Sequence, residues 1–267
     1  MSILISDIDG PIINFMDLPE LINLMQINKN YYGKIKKLSL LIEWNKIKNY
    51  YRYSLNDIFA YACSKGYMSY LKSLLNRHKI NIHHDNELAF FKSCRNGHFE
   101  IAKWLIDLGE NHGHDKIDIH AGEKTAFESS CINGHFEVAN WLINLGENHG
   151  YGKINIHAHK DYVFRCCFIN KTNIAIIQWL INLGENGYGK FDIHSYNERA
   201  FILSCENGYI EAAKWLIDLG ENHGYGKINI HAANDYAYIV SVCFNYTDIV
   251  IWLIDLSTNH GYGKIKQ

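Results

Sequence analysis

One string is written into this chain five times. NGHFEVANWLINLG (Asn133 to Gly146) returns as NGHFEIAKWLIDLG (Asn96 to Gly109) and NGYIEAAKWLIDLG (Asn207 to Gly220), and less cleanly at 170–184 and 245–257. Trp104, Trp141, Trp179, Trp215 and Trp252 stand 37, 38, 36 and 37 residues apart, and His83, His120, His157, His194 and His231, which close the I-x-I-H-type strings, are each separated by 37. A fixed period in this range means a stacked repeat array, because each unit is too thin to bury its own apolar face and must be covered by its neighbours.

The period from Gly122 to Ala158 shows what one unit contains. Ala126, Phe127, Ser130 and Cys131 share one face of a short helix, and Asn133-Gly134 tolerates the left-handed backbone that ends it. Val138, Trp141, Leu142 and Leu145 recur at i, i+3, i+4 and i+7, which predicts a second helix from Phe136, with Gly146 as its stop. ENHGYGK then supplies a turn, and KINIH alternates apolar and polar residues as an extended segment does. The expected fold is an all-α solenoid of about six helix-turn-helix repeats joined by long extended fingers. The units run approximately 53–84, 85–121, 122–158, 159–195, 196–232 and 233–267.

The string G-H-x-E-(I/V)-A-x-x-L-I-x-x-G at Gly97 to Gly109 and Gly134 to Gly146 resembles the ankyrin repeat. The family's T-P-L-H string is absent. Glu87-Leu-Ala-Phe, Glu123-Lys-Thr-Ala-Phe and Glu198-Arg-Ala-Phe occupy its place, so the hydrogen bonds it makes do not carry over. The excess over the ankyrin period of about 33 lies in ENHGYGK, predicting longer fingers. With N-G-H-x-E and no T-P-L-H, the chain is similar to the ankyrin-like proteins of giant DNA viruses, which implies a viral protein acting in a host cell.

A net charge of −2 provides no basic field to neutralise phosphates, so neither nucleic acid nor an anionic membrane is expected as the main partner. The apolar run from Tyr236 to Thr247 stops at Asp248, short of the ~20 residues that span a bilayer, and reads as another repeat helix. MSILISDIDG has no basic region ahead of its apolar run, which argues against a secretory signal. Cys63, Cys94, Cys131, Cys167, Cys205 and Cys243 recur near the ends of first helices, with Cys166 extra. Stacked helices lie ~8–10 Å apart and a disulfide needs Cα atoms within about 7 Å, so these cysteines are expected as small buried fillers in a reducing cytoplasm or nucleus. The histidine series likewise forms a ladder rather than a cage; no metal site and no cofactor are expected. His98 and His135 are expected to pack at the turns between repeats.

Residues 1–50 fall outside the period, leaving 51–267 to the repeats. ILISDIDGP resembles the opening motif of haloacid-dehalogenase-like phosphotransferases, which implies a magnesium-dependent phosphohydrolase with Asp7 as nucleophile and Asp9 as acid and base. The α/β domain that chemistry needs has no room beside the repeats. The segment with I-I-x-F-M and D-L-P-E-L-I also resembles an F-box, which implies docking of a Skp-type adaptor of a cullin-RING ubiquitin ligase through Ile12, Phe15, Met16 and Leu21. A plain helical cap on the first repeat is the alternative. The expected role is therefore a non-enzymatic protein-interaction scaffold with a concave surface. Tyr151, Tyr188 and Tyr225, with Lys153, Lys190 and Lys227 two residues on, are its candidate partner contacts.

Overall fold

The computed structural model describes residues 54–122, 124–169 and 174–265. The expectations for residues 1–50, and the domain division drawn there, lie outside the described residues. Among the described residues twelve α-helices follow in six pairs: α1 (Leu55–Ser64) and α2 (Met68–Arg77), α3 (His84–Arg95) and α4 (Phe99–Asn111), α5 (Ala126–Ile132) and α6 (Phe136–Asn148), α7 (Ala158–Cys166) and α8 (Ile174–Leu183), α9 (Ser195–Glu206) and α10 (Ile210–Asn222), α11 (Ala232–Cys243) and α12 (Thr247–Asn259). No strand occurs among the described residues. The all-α repeat architecture is as the periodicity requires.

Each second helix buries one stripe. In α6 it is Val138, Ala139, Leu142, Ile143 and Leu145, the spacing that places side chains on one face of a 3.6-residue turn. The first helices bury Phe59, Phe90, Phe127 and Phe201, and each of these rings meets the tryptophan of the following repeat (Trp104, Trp141, Trp179 and Trp252) at 6.2–6.3 Å between centroids. A buried phenylalanine contributes about 2–3 kcal/mol by leaving water, and here it does so only when the next repeat is present. The fingers add paired apolar residues, Ile117 and Ile119, Ile154 and Ile156, Phe191 and Ile193, Ile228 and Ile230, all buried, while Asp118, Asn155, Asp192 and Asn229 between them face solvent.

Two expectations need correction. Gly146 does not stop α6, which continues to Asn148. A Cβ at Gly146 would lie 2.6 Å from the carbonyl oxygen of Gly152, so this glycine lets the returning finger approach the helix backbone. Cys243 is exposed rather than a buried filler. Val242, which aligns with Cys205, is itself 47% exposed, and Ile239 and Phe244 are exposed as well, because no further helix pair among the described residues covers the outer side of α11. The other one-per-repeat cysteines are buried and free, and burial pushes the thiols of Cys63, Cys94, Cys167 and Cys205 well above the usual range. The fourth repeat is also irregular. α7 runs into a 3-10 turn at Cys167–Ile169, and α8 is followed by a wide turn at Gly184–Tyr188. His157 to Trp179 is 22 residues against 21 for His120 to Trp141, and Trp179 to His194 is 15 against 16 for Trp141 to His157. One residue gained in the hairpin and one lost in the finger keep the histidines in register.

Candidate partner-binding surface

The fingers are fixed to the helices by a device that replaces the missing T-P-L-H string. In four repeats the opening turn of the first helix holds three consecutive residues in the left-handed region: Asp85-Asn86-Glu87, His159-Lys160-Asp161, Tyr196-Asn197-Glu198 and Ala233-Asn234-Asp235, with φ between 51° and 64°. Such backbone costs roughly 1–2 kcal/mol per residue. Asparagine, which tolerates it best, holds the middle place in three of the four. The turn aims the third residue inward. Glu87, Asp161, Glu198 and Asp235 are 5–7% exposed, and each carboxylate meets Nδ1 of the histidine four residues before it: His83 (2.7 Å), His157 (2.6 Å), His194 (2.8 Å) and His231. Three of them also accept a backbone N–H from the next finger, Asp118 to Glu87 (3.2 Å), Asp192 to Asp161 (2.8 Å) and Asn229 to Glu198 (3.0 Å).

The histidines complete the link. Nε2 lies within hydrogen-bonding distance of the carbonyl of Tyr151 for His120 (2.9 Å), Tyr188 for His157 (3.0 Å), Tyr225 for His194 (2.9 Å) and Tyr262 for His231 (2.7 Å), each in the following finger. Since carboxylate and carbonyl oxygens only accept, the rings of His194 and His231 donate from both nitrogens. Burial opposes that charge, but Glu198 with the Tyr225 carbonyl, and Asp235 with the Tyr262 carbonyl, hold these two histidines above the ordinary value. His83 Nε2 is buried without a hydrogen-bond partner, where the facing finger reads His112-Gly-His-Asp-Lys116 in place of His-Gly-Tyr-Gly-Lys. At the turns between helices, His98 Nε2 donates to the Ser64 carbonyl (3.0 Å), and burial lowers His135, whose ring packs on Gly97.

The third repeat is built differently. Lys124 stands where four other repeats have the buried carboxylate, and Thr125 caps α5 through a reciprocal box with Glu128. Glu128 is 1% exposed and also receives His159 Nδ1 at 3.2 Å.

At the finger tips the candidate contact residues are brought together across repeats. The Tyr151 hydroxyl donates to Glu110 (2.6 Å), Tyr188 to Glu147 (2.6 Å), Tyr225 to Glu185 (3.1 Å) and Tyr262 to Glu221 (2.6 Å). The lysine of the preceding finger lies over each ring: Lys116 on Tyr151 at 3.7 Å, Lys153 on Tyr188 at 3.9 Å, Lys190 on Tyr225 at 4.8 Å and Lys227 on Tyr262 at 3.8 Å. Burial, together with the carboxylate of Glu185, pushes the Tyr225 phenol up to about 12. Tyr151 is buried, Tyr188 and Tyr225 are half-buried, and Lys153, Lys190 and Lys227 are exposed. All six take part in interlocking the fingers. Ile12, Phe15, Met16 and Leu21, like Asp7 and Asp9, lie outside the described residues.

Sequence reasoning missed the carboxylates Glu87, Asp161, Glu198 and Asp235. Their signal is a His-x-x-x-Asp/Glu spacing that recurs four times. It also missed a cluster at the leading turns of α7 and α9. There the Arg165 guanidinium stacks on the Tyr196 ring at 4.0 Å, donates to Ser195 Oγ (3.2 Å) and to the Lys160 carbonyl, and lies beside exposed Lys160. Among the described residues no group of histidine, cysteine and carboxylate side chains is arranged to hold a metal ion, and no helix is long and apolar enough to cross a membrane.

Comparison with known proteins agrees with this architecture. Residues 59–153 match the family model for ankyrin repeats in three copies. Among solved structures 53 chains match, including the crystal structure of the human ASB11 ankyrin repeat domain. That domain is 17% identical, with 75% of this chain and 84% of that chain covered, at a TM-score of 0.47. No curated protein matches the sequence.

Proposed function

We propose that this chain, which carries ankyrin repeats, is a non-enzymatic scaffold that binds another protein across its fingers and the leading ends of its first helices. Ankyrin repeats imply protein partners, and one observation carries the reading. Histidine, carboxylate, tyrosine and lysine side chains, which elsewhere do chemistry, are here spent on linking one repeat to the next. What such a stack offers is a stiff, extended surface, and stiffness lowers the ordering cost of binding. The finger tips around Tyr151, Tyr188 and Tyr225, with Lys153, Lys190 and Lys227, form one border of that surface.

The F-box likeness of residues 1–50 supports a finer version, in which Ile12, Phe15, Met16 and Leu21 dock a Skp-type adaptor and the repeats recruit a target to a host cullin-RING ubiquitin ligase. Affinity capture with the full chain, followed by titration of each retained protein in purified form, tests the scaffold. A partner bound stoichiometrically is expected, and a folded chain that retains none rejects the reading. Capture of a Skp-type protein by the full chain, abolished by Phe15→Asp and Leu21→Asp, tests the finer version; its absence leaves only the scaffold.

A further inference from the structure

The leading turns of the third to fifth repeats segregate charge by depth. Among the described residues their carboxylates point inward: Glu128, Asp161 and Glu198 are 1%, 7% and 5% exposed, and each is bonded to histidine or backbone N–H. The cations point the other way. Lys124 and Lys160 are exposed, and among the described residues neither they nor Arg165 lies in an ion pair with a carboxylate. The second helices show the opposite sign, with Glu100, Glu110, Glu137, Glu147, Glu211 and Asp218 all exposed.

Aromatic rings run through this cationic edge. Lys124 lies 5.4 Å from the Tyr162 ring centroid, and the His159 ring is 6.4 Å from the same tyrosine. Tyr196, 60% exposed, is flanked by Arg165 at 4.0 Å and Lys160 at 5.8 Å. An open tyrosine held by a buried arginine is pre-ordered, and both residue types are over-represented where binding energy concentrates. Arg165 is fixed by Ser195 Oγ and the Lys160 carbonyl, so the ring rests on a guanidinium that binding need not immobilise.

From this juxtaposition we infer that Lys124, His159, Lys160, Tyr162, Arg165 and Tyr196 form a docking strip for an acidic, extended peptide segment of a partner protein. Its carboxylates meet the lysines and its apolar or aromatic side chain lies on Tyr196. The inference rests on the scaffold reading and names the chemistry of its partner. Nucleic acid fits less well. A run of phosphates calls for many cations along its length, whereas this strip has three, on a chain of net charge −2.

Fluorescence anisotropy of the full chain with a fluorescein-labelled Glu/Asp-rich peptide carrying one phenylalanine tests the strip. A lysine-rich peptide of equal length and single-stranded oligo(dT) serve as comparators. The acidic probe is expected to bind, with Lys160→Glu and Tyr196→Ala each weakening it about tenfold and Lys124→Glu about threefold, magnitudes usual for single interface side chains. These residues are on the surface, so circular dichroism and melting should stay as in the unaltered chain. Equal binding of the acidic and lysine-rich probes, tighter binding of oligo(dT), or no effect of the substitutions in a folded chain overturns the proposal. A natural partner captured equally by the unaltered chain and by Lys160→Glu overturns the strip and leaves the scaffold intact. Failure of capture with retained, strip-dependent peptide binding does the reverse.

Discussion

The third repeat and its neighbours solve one problem by opposite means. All must anchor the start of a short helix while holding a finger that returns from the next unit. The second, fourth, fifth and sixth repeats accept three left-handed residues so that a carboxylate can turn inward and bond a histidine and, in the second, fourth and fifth, the following finger as well. The third has Lys124 at that position, and it starts its helix with Thr125 and Glu128 in a conventional capping box. The first arrangement spends backbone strain to gain a link between repeats. The second is unstrained at Thr125 (φ −70°) and largely local, reaching its neighbour through the contact of Glu128 with His159. Strained turns are therefore tolerated where their side chains hold more than one repeat.

Substitutions can break this contrast, and their sizes should rank accordingly. Glu198→Ala leaves the half-buried His194 and the Asn229 N–H without an acceptor, and is expected to cost about 2–3 kcal/mol in urea unfolding. A cost under ~1 kcal/mol would show that the link is decorative. Glu128→Ala should cost roughly 2 kcal/mol and Thr125→Ala about 1 kcal/mol, the usual value of a helix cap. Ala233→Gly should do the opposite. Ala233 is exposed with φ of 52°, so glycine relieves strain there and should raise stability by about 0.5–1 kcal/mol. Loss of stability instead would mean that this turn is not left-handed.

The smallest effect is on pH. His194 and His231 are raised above the ordinary histidine value in the folded chain, so their contribution is complete below that value and fades as pH rises through the folded one. The melting temperature should fall modestly from the ordinary histidine range towards mildly alkaline pH, and His194→Gln with His231→Gln should flatten that part of the profile. A profile left unchanged by the pair would refute double donation by these rings.

Much of the fold was legible because it is periodic. Val138, Trp141, Leu142 and Leu145 declare a helix face through spacing alone, and Ile154 and Ile156 declare an extended segment. Gly146 misled, since a glycine that ends a helix and one that admits a close-packed backbone look alike in sequence. Cys243 misled because recurrence marks a place within a repeat, whereas burial of that place depends on a following repeat to cover it, and even Val242 in the aligned slot is exposed. The candidate surface was less legible. Tyr188 and Lys190 were visible as a recurring pair, but the tyrosine is clasped by Lys153 of the preceding finger, a partner 35 residues away.

By itself the sequence determined that this protein is a stack: a period of 37 residues between histidines, with tryptophans in step, leaves each unit dependent on the next for burial. Only the tertiary structure decided how successive units are fastened and which charges are left outside. Those outcomes depend on groups 31 to 41 residues apart meeting at hydrogen-bonding distance, as His194 meets the Tyr225 carbonyl and Tyr188 meets Glu147. They depend also on a left-handed turn that sends one carboxylate inward while leaving the neighbouring lysine or tyrosine in solvent.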